Sequence, residues 1–353
     1  MSAKMSWMIY GANGYTGELI AREAVARGMA PLLAGRNKAK IEQLARELKL
    51  DCRVFDLSSP ASIAAPLQGV KVVLLTAGPF SATSQPMVEA CIQAGTHYLD
   101  ITGEIDVFEQ VRRANGDALK AGVVLCPGVG FDVVPTDCVA AALKEALPDA
   151  VELRLGFDTT VSISPGTMRT TLESAPDGGR IRRNGQLLHV PLAHEVRRID
   201  FGRGERLAVA VPWGDVSTAF HTTGIPNITV YVPATRLSVL GMKMGNVLRP
   251  FMKMRAVQRS LAALVSLAIK GPDEAARARM PAYVWGEAIN ARGERRTARV
   301  KTANGYTLTI PGALAVTNFL LCNDVQGGFT TPSRLMGHGL LARLPGGGQM
   351  VID

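Results

Sequence analysis

Three glycines, Gly11, Gly14 and Gly17, stand three residues apart between the apolar run Trp7-Met8-Ile9-Tyr10 and a helix-period segment. In a strand–turn–helix setting this spacing binds phosphate. The first glycine allows a tight turn, the second lets backbone approach a pyrophosphate, and the third lets helix and strand touch, while the helix N-terminus offers N–H groups and a positive dipole. Asn13, Tyr15 and Thr16 fill the rest of the turn. What selects the ligand is the end of a second strand about 20 residues on, here Leu32-Leu33-Ala34-Gly35-Arg36-Asn37. An acid at that place would take the ribose hydroxyl of NAD. Arg36, with Asn37 beside it, suits the additional phosphate of NADP(H), which is therefore the expected cofactor.

Other residues extend the same chemistry. Asp56 closes a third strand, where it either meets the adenine or caps the segment after it. Ala77, Gly78, Pro79 and Phe80 come after a fourth strand, either as a loop that lets a cofactor approach backbone or as an ordinary turn. Gly130 and Phe131 lie in a Gly/Pro-rich loop after a sixth strand. Hydride transfer needs the nicotinamide held against an electrophilic carbon and a proton for the other end of the double bond. Glu104, Asp132 and His221 are the candidate proton donors, with Asp137 also at the right end of the sheet. Each has a plainer reading: Glu104 and Asp137 as helix caps, Asp132 as a loop tie, His221 as a satisfied turn histidine. His97 sits inside a strand and reads as structural.

The elements that must position these residues are those of an α/β chain. From Ser6 to about Leu147, apolar runs alternate with helix-period segments, which predicts parallel strands and crossover helices. Ile41, Leu44, Ala45 and Leu48 give the clearest amphipathic stripe, and Val107, Val111, Ala114 and Ala118 mark one further helix. Beyond Pro148 the rhythm becomes that of half-buried antiparallel strands, at Val151–Val161, Gln186–Val190, Arg197–Phe201, Arg206–Val211 and Asn227–Val232. Ser164-Pro165-Gly166-Thr167 opens an expected helix, and Trp213–Asp215 with Phe220–Pro226 forms an expected turn cluster. Strands resume at Tyr283–Ala291, Ala298–Thr302 and Tyr306–Ile310. Ala313–Leu321 is an expected apolar helix, and Arg334–Leu344 an expected return over the first domain. This predicts a Rossmann parallel-sheet domain (1–147), an inserted α+β substrate or dimerisation domain (148–311) and a C-terminal segment with a return helix (312–353).

Composition narrows the functional classes. With 47% hydrophobic and 20% charged residues the chain is a folded protein, and 353 residues suffice for two cores. The net charge of +9 favours an anionic cofactor, partner or membrane surface; only 5% aromatic residues and no zinc-finger spacing or basic run argue against nucleic acid. Five dispersed cysteines without a Cys-x-x-Cys pair suggest reduced thiols and a cytoplasmic protein, and no metal site is expected. No apolar run reaches about 18 residues, so no spanning helix is expected. Residues Val216–Pro272 contain no acid and seven Lys or Arg. Leu240, Met244, Val247 and Phe251, then Val257, Leu261, Leu264, Val265 and Ala268, imply two basic amphipathic helices across 236–270. These either pack on their own domain or a homodimer mate, or face a membrane periphery, a lipid-like substrate or an acidic carrier.

Taken together, Gly11-Ala12-Asn13-Gly14-Tyr15-Thr16-Gly17, Ala34-Gly35-Arg36-Asn37, Ala77-Gly78-Pro79-Phe80, Asp100-Ile101-Thr102-Gly103-Glu104 and Gly130–Asp137 resemble the saccharopine dehydrogenase-like oxidoreductases, in particular the branch with the trans-acting enoyl reductases. The resemblance covers the first domain and thins beyond it. Ser164–Thr167 is similar to that family's Gly-Gly-Thr segment, and Gly328–Ser333 to its C-terminal signature. It implies NAD(P)-dependent reduction on a Rossmann domain with an inserted α+β domain. Because the charged set that binds an amino-acid substrate is not found, a reductase of an activated C=C bond in a hydrophobic, lipid- or polyketide-like, carrier-bound or free small molecule is the leading expectation. A saccharopine- or opine-type dehydrogenase acting on C=N, and a non-catalytic NADPH-binding lipid-associated scaffold, are the alternatives. Tyr-x-x-x-Lys is absent at every tyrosine, and Gly-x-Ser-x-Gly is absent, which disfavours short-chain dehydrogenase and serine hydrolase chemistry.

Overall fold

The computed structural model describes residues 6–159, 177–252 and 280–353. The chain divides into two compact units, residues 1–134 with 308–336 and residues 135–307 with 337–353. These limits fall earlier than 147/148 and 311/312, and they place the last 17 residues with the second unit.

In the first unit the elements alternate: β1 (Ser6–Tyr10), α1 (Tyr15–Ala26), β2 (Leu32–Gly35), α2 (Lys38–Leu48), β3 (Cys52–Val54), α3 (Pro60–Leu67) and β4 (Val70–Leu75). Then come α4 (Phe80–Ala94), β5 (His97–Asp100), α5 (Ile105–Arg113), α6 (Asn115–Ala121) and β6 (Val124–Cys126). The strands form one sheet in the order β15-β6-β5-β4-β1-β2-β3, β15 being Gly328–Phe329 from far along the chain; each pairing is parallel. The strand order reverses between β1 and β4, and open parallel sheets bind ligands at that crevice beyond the strand carboxyl ends. Trp7, Met8, Ile9 and Tyr10 are all buried, as expected for a central strand covered by helices on both faces, so β1 reads as a continuous apolar run. In α2, Ile41, Leu44 and Ala45 face inward and the Asn37 side chain caps the start by accepting the Lys40 N–H at 3.1 Å.

Three expectations for this unit are corrected. The single helix expected over Val107–Ala118 is two, α5 and α6, broken at Ala114; at the break the Asn115 side chain accepts the Phe329 N–H at 2.8 Å and so holds β15. Tyr306–Ile310 is not a strand but the start of α10 (Gly305–Cys322), whose first turn is capped by Asn304 Oδ1 accepting the Thr307 N–H. Its β-branched and aromatic residues carry strand propensity that burial overrides. By length and composition α10 would suffice to cross a bilayer, against expectation, yet Leu308, Ala313, Leu314, Val316 and Leu320 are fully buried, which makes it a core helix. Third, Arg334–Leu344 does not return as one helix. α11 (Pro332–Met336) belongs to the first unit, α12 (Leu340–Arg343) to the second, and β16 (Met350–Ile352) pairs with β14 (Arg295–Thr302).

The second unit is built on a sheet of β7 (Ala150–Thr159), β10 (Val196–Asp200), β11 (Glu205–Val211), β12 (Asn227–Pro233), β13 (Ala282–Asn290), β14 (Arg295–Thr302) and β16, in the order β10-β11-β12-β7-β13-β14-β16. A hairpin of β8 (Gly179–Arg183) and β9 (Gln186–Val190) attaches at β12. β7 is antiparallel to β13 but parallel to β12, so the sheet is mixed. α7 (Val134–Ala146) lies close on β13: a methyl group on Gly286 would come within 2.6 Å of Val139 and 2.7 Å of Leu143. Where a turn cluster was expected there is a helix, α8 (Asp215–Thr223), ended by Gly224 in the left-handed region. Its Ser and Thr residues are poor helix formers, held here by internal bonds such as Thr223 Oγ1 to the Ala219 carbonyl (2.6 Å) and by Thr136 Oγ1 donating to Asp215 (2.7 Å). α9 (Arg236–Met252) realises the first basic amphipathic helix, with Thr235 and Ser238 exchanging backbone-to-side-chain bonds at its start. The second basic stripe, Val257–Ala268, and the Ser164–Thr167 segment lie outside the described residues, as do Lys253, Arg255 and Arg259.

Candidate nucleotide site and its carboxylates

The glycine turn is fixed by what surrounds it. Gly11 has φ +90°, and a side chain there would run into Ala77, 2.8 Å from its backbone nitrogen. The Gly11 and Ala12 N–H groups both donate to the Ala34 carbonyl (2.8 and 3.1 Å), and the Thr76 N–H donates to that of Tyr10 (2.8 Å). These bonds gather the carboxyl ends of β1, β2 and β4. A methyl group on Gly17 would collide with the Gly11 carbonyl and reach 2.7 Å from Thr76 Oγ1, so the third glycine sets how closely α1 meets the turn. The N-cap of α1 is Gly14, which supplies no side-chain bond to the first helical turn, where Tyr15, Thr16 and Gly17 stand. An uncapped helix start beside backbone that tolerates no side chain fits a dinucleotide pyrophosphate.

The nucleoside end is equally legible. Asn13 Oδ1 lies against Gly35, where a methyl would approach to 3.0 Å, so the turn and the end of β2 meet there. Arg36 comes next and is exposed, while Asn37 is committed to the α2 cap. Tyr10 donates to the Phe55 carbonyl at 3.0 Å and its ring lies 4.9 Å from that of Phe55. Burial pushes its phenol up to about 12, with Asp56 adding to the shift and Arg36 opposing it. Asp56 Oδ1 accepts the Ser58 N–H at 3.0 Å, and hydrogen bonds from Ser58 hold its carboxyl below the usual range. It makes a local turn; the cap of α3 is Ser59.

Beyond β4, Ala77, Gly78 and Pro79 lead into α4 through a cis Gly78–Pro79 bond. Pro79, the N-cap, offers no side-chain bond to α4. Glu104 does so instead: its two carboxylate oxygens accept the Phe80 and Ser81 N–H groups, each at 3.1 Å. The Glu104 side chain thus caps α4, while at α5, where Glu104 is the N-cap residue, only its backbone carbonyl takes part. Asp132 is different. A methyl on Gly103 would sit 3.1 Å from its Oδ2, so its carboxyl abuts the β5 loop, and desolvation pushes it up to about 6. The loop carrying Gly130, Phe131 and Asp132 is fastened by the Phe131 N–H donating to Thr309 Oγ1 at 3.0 Å.

Two residues that sequence reasoning passed over organise this region. Asp100, wholly buried, accepts the Tyr98 hydroxyl (2.6 Å), the Thr102 N–H (2.9 Å) and the Gly128 N–H (2.8 Å), while its carbonyl accepts the Val129 N–H (2.8 Å). It ties the β5 and β6 loops to each other; burial raises its carboxyl to about 6 against those bonds. Its Asp-x-Thr spacing at a strand end was the available signal. Thr309 had none, being 178 residues from Phe131.

The first unit therefore brings together the glycine turn, Arg36, the 77–80 loop, Glu104 and Asp132. His221 lies on α8 in the second unit, 5.4 Å from the Phe220 ring, not in a turn. Asp137, in the same unit, accepts the Thr222 hydroxyl. His97 is structural: its Nδ1 accepts the Val124 N–H at 3.0 Å, and burial, then Lys71, lower its pKa.

A parallel sheet in this strand order, with this turn at its switch point, defines a nicotinamide-dinucleotide-binding Rossmann domain. The comparisons assign it more narrowly. Residues 7–126 match the family described as saccharopine dehydrogenase NADP binding domain. The chain is 29% identical over 202 residues to a saccharopine dehydrogenase-like oxidoreductase of Mus musculus, covering 50% of this chain and 47% of that protein. It is 33% identical over 153 residues to a putative trans-acting enoyl reductase of Mycobacterium tuberculosis, covering 39% and 35%. It thus spans about half the length of the curated relatives it matches. The saccharopine dehydrogenase (L-Glu forming) of Saccharomyces cerevisiae shares the fold across 99% of this chain and 100% of its own, at a TM-score of 0.67 and 12% identity.

Proposed function

We propose that the protein is an NADPH-dependent oxidoreductase that reduces an activated C=C bond in a hydrophobic, lipid- or polyketide-like substrate. The observation that carries this reading is the pairing, within one unit, of a dinucleotide cradle with the Asp132 carboxyl, which abuts the β5 loop and is pushed up to about 6 by desolvation. Bound NADPH supplies the hydride. The glycine turn and the start of α1 hold the pyrophosphate, Arg36 takes the 2′-phosphate, and the 77–80 loop lets the cofactor approach backbone. Asp132 holds the proton that the second carbon of the double bond receives. Glu104 accepts two backbone N–H groups at the start of α4. The enoyl reductase name of the mycobacterial relatives agrees with this chemistry. The longer match to saccharopine dehydrogenase-like proteins supports a second reading, reduction of C=N.

Nucleotide titration tests the first step. NADPH is expected to bind more tightly than NADH, and Arg36→Ala to weaken NADPH about 10- to 100-fold while leaving NADH unchanged, the range of one charge-assisted contact. Equal affinity for the two nucleotides in the unaltered chain removes the Arg36 assignment. Turnover of enoyl thioesters against turnover of lysine with a 2-oxo acid separates the two substrate readings.

A further inference from the structure

We propose that the outward face of α9 docks the protein on an anionic bilayer surface. Leu237, Leu240, Met244 and Val247 are 78%, 54%, 63% and 76% exposed. At 100° per residue they fall within an arc of about 80°, a continuous apolar ridge along the helix. The ridge is held outward. On the opposite face Val239 is buried with Ala193 and Val209, and the Asn246 side chain accepts the Leu192 N–H (2.8 Å) and donates to its carbonyl (3.1 Å). Rolling the helix to bury Leu240 or Met244 would break those contacts.

Charge decides among occupants. Arg236 and Lys243 are exposed and lie along one border of the ridge, and α9 from Arg236 to Met252 carries no acid. A second copy of the same face in an antiparallel twofold pair would put both basic borders along one edge, with no acid on α9 to offset them. A neutral apolar partner would leave both cations without counter-charge. An anionic lipid surface accepts the ridge among its acyl chains and the flanking cations among its headgroups, the pattern of helices that lie in the membrane interface. The ridge belongs to the second unit, whereas the residues assigned to nucleotide binding belong to the first.

Co-sedimentation of the full chain with vesicles tests the proposal, using phosphatidylcholine alone and phosphatidylcholine mixed with phosphatidylglycerol. The unaltered protein is expected to pellet with the anionic vesicles, less so at raised salt, and to stay in solution with phosphatidylcholine. Leu240→Glu with Met244→Glu, at exposed positions, should reduce binding about tenfold or more while thermal unfolding and NADPH affinity stay unchanged; Lys243→Glu should weaken only the salt-sensitive part. No pelleting with anionic vesicles, or unreduced binding by the double variant, overturns it. So does a dimer that the double variant splits without any vesicle binding, which would make the ridge a contact between copies. Retention by an immobilised acidic carrier protein in place of vesicles overturns it equally.

Discussion

At the scale of single residues, the two acids at the strand ends stand in different surroundings. Glu104 points both oxygens at the Phe80 and Ser81 N–H groups and so holds the start of α4. Asp132 has a desolvated carboxyl and a pKa near 6, the condition in which a carboxylic acid can still deliver a proton close to neutrality. Asp132→Asn is therefore expected to lower turnover about 100-fold or more while leaving NADPH affinity in place. In the unaltered protein, the proposed turnover should fall as pH rises through about 6, because the donor form is the protonated one. A flat pH–rate profile, or an Asn variant as active as its parent, would remove Asp132 from this role. The glycine turn was legible in the sequence because local spacing suffices for it. The Asp100 network was not, because its members meet only once β5 and β6 are paired, nor was the capping of α4 by Glu104, 24 residues away.

Among elements, strands β1 to β6 and helices α1 to α4 are legible from periodicity, since each buries a simple stripe or run. Two misreadings are of one kind, residues with strand or turn propensity that are helical in the fold: Tyr306–Ile310, begun by the local Asn304 cap, and Asp215–Thr223, tied by Thr136 across 79 residues. α4 carries a prediction of its own. Its N-terminus begins after a proline without a side-chain cap and depends on a carboxylate from the β5 loop. Glu104→Ala should cost about 1–3 kcal/mol of stability by denaturant titration, the range of lost charge-assisted bonds to helix N–H groups. Unchanged stability combined with abolished turnover would instead return Glu104 to the chemistry.

For the whole molecule, pH acts through the buried acids. Asp100 has its folded pKa raised from 3.8 to about 6 by burial, so between those values the folded state binds more protons than the unfolded chain. Its contribution is greatest below about pH 4 and is lost as pH rises to 6, on the order of 3 kcal/mol for a shift of about two units. Thermal melts of the unaltered chain and of Asp100→Asn across that window should diverge, the Asn variant showing the smaller decline. Parallel curves would contradict the assignment. The two-unit architecture also has a consequence for how the protein is made. β15 pairs with β6 across about 200 residues, and Thr309 and Asn115 bridge similar distances. On the ribosome, then, β6 emerges as a bare sheet edge and stays one until the chain has been translated through residue 329, past residues 135–307 of the second unit. A gene fragment ending after residue 134 would leave that edge permanently open to strand-to-strand aggregation. Supplying residues 308–336 as a separate peptide should restore solubility to such a fragment.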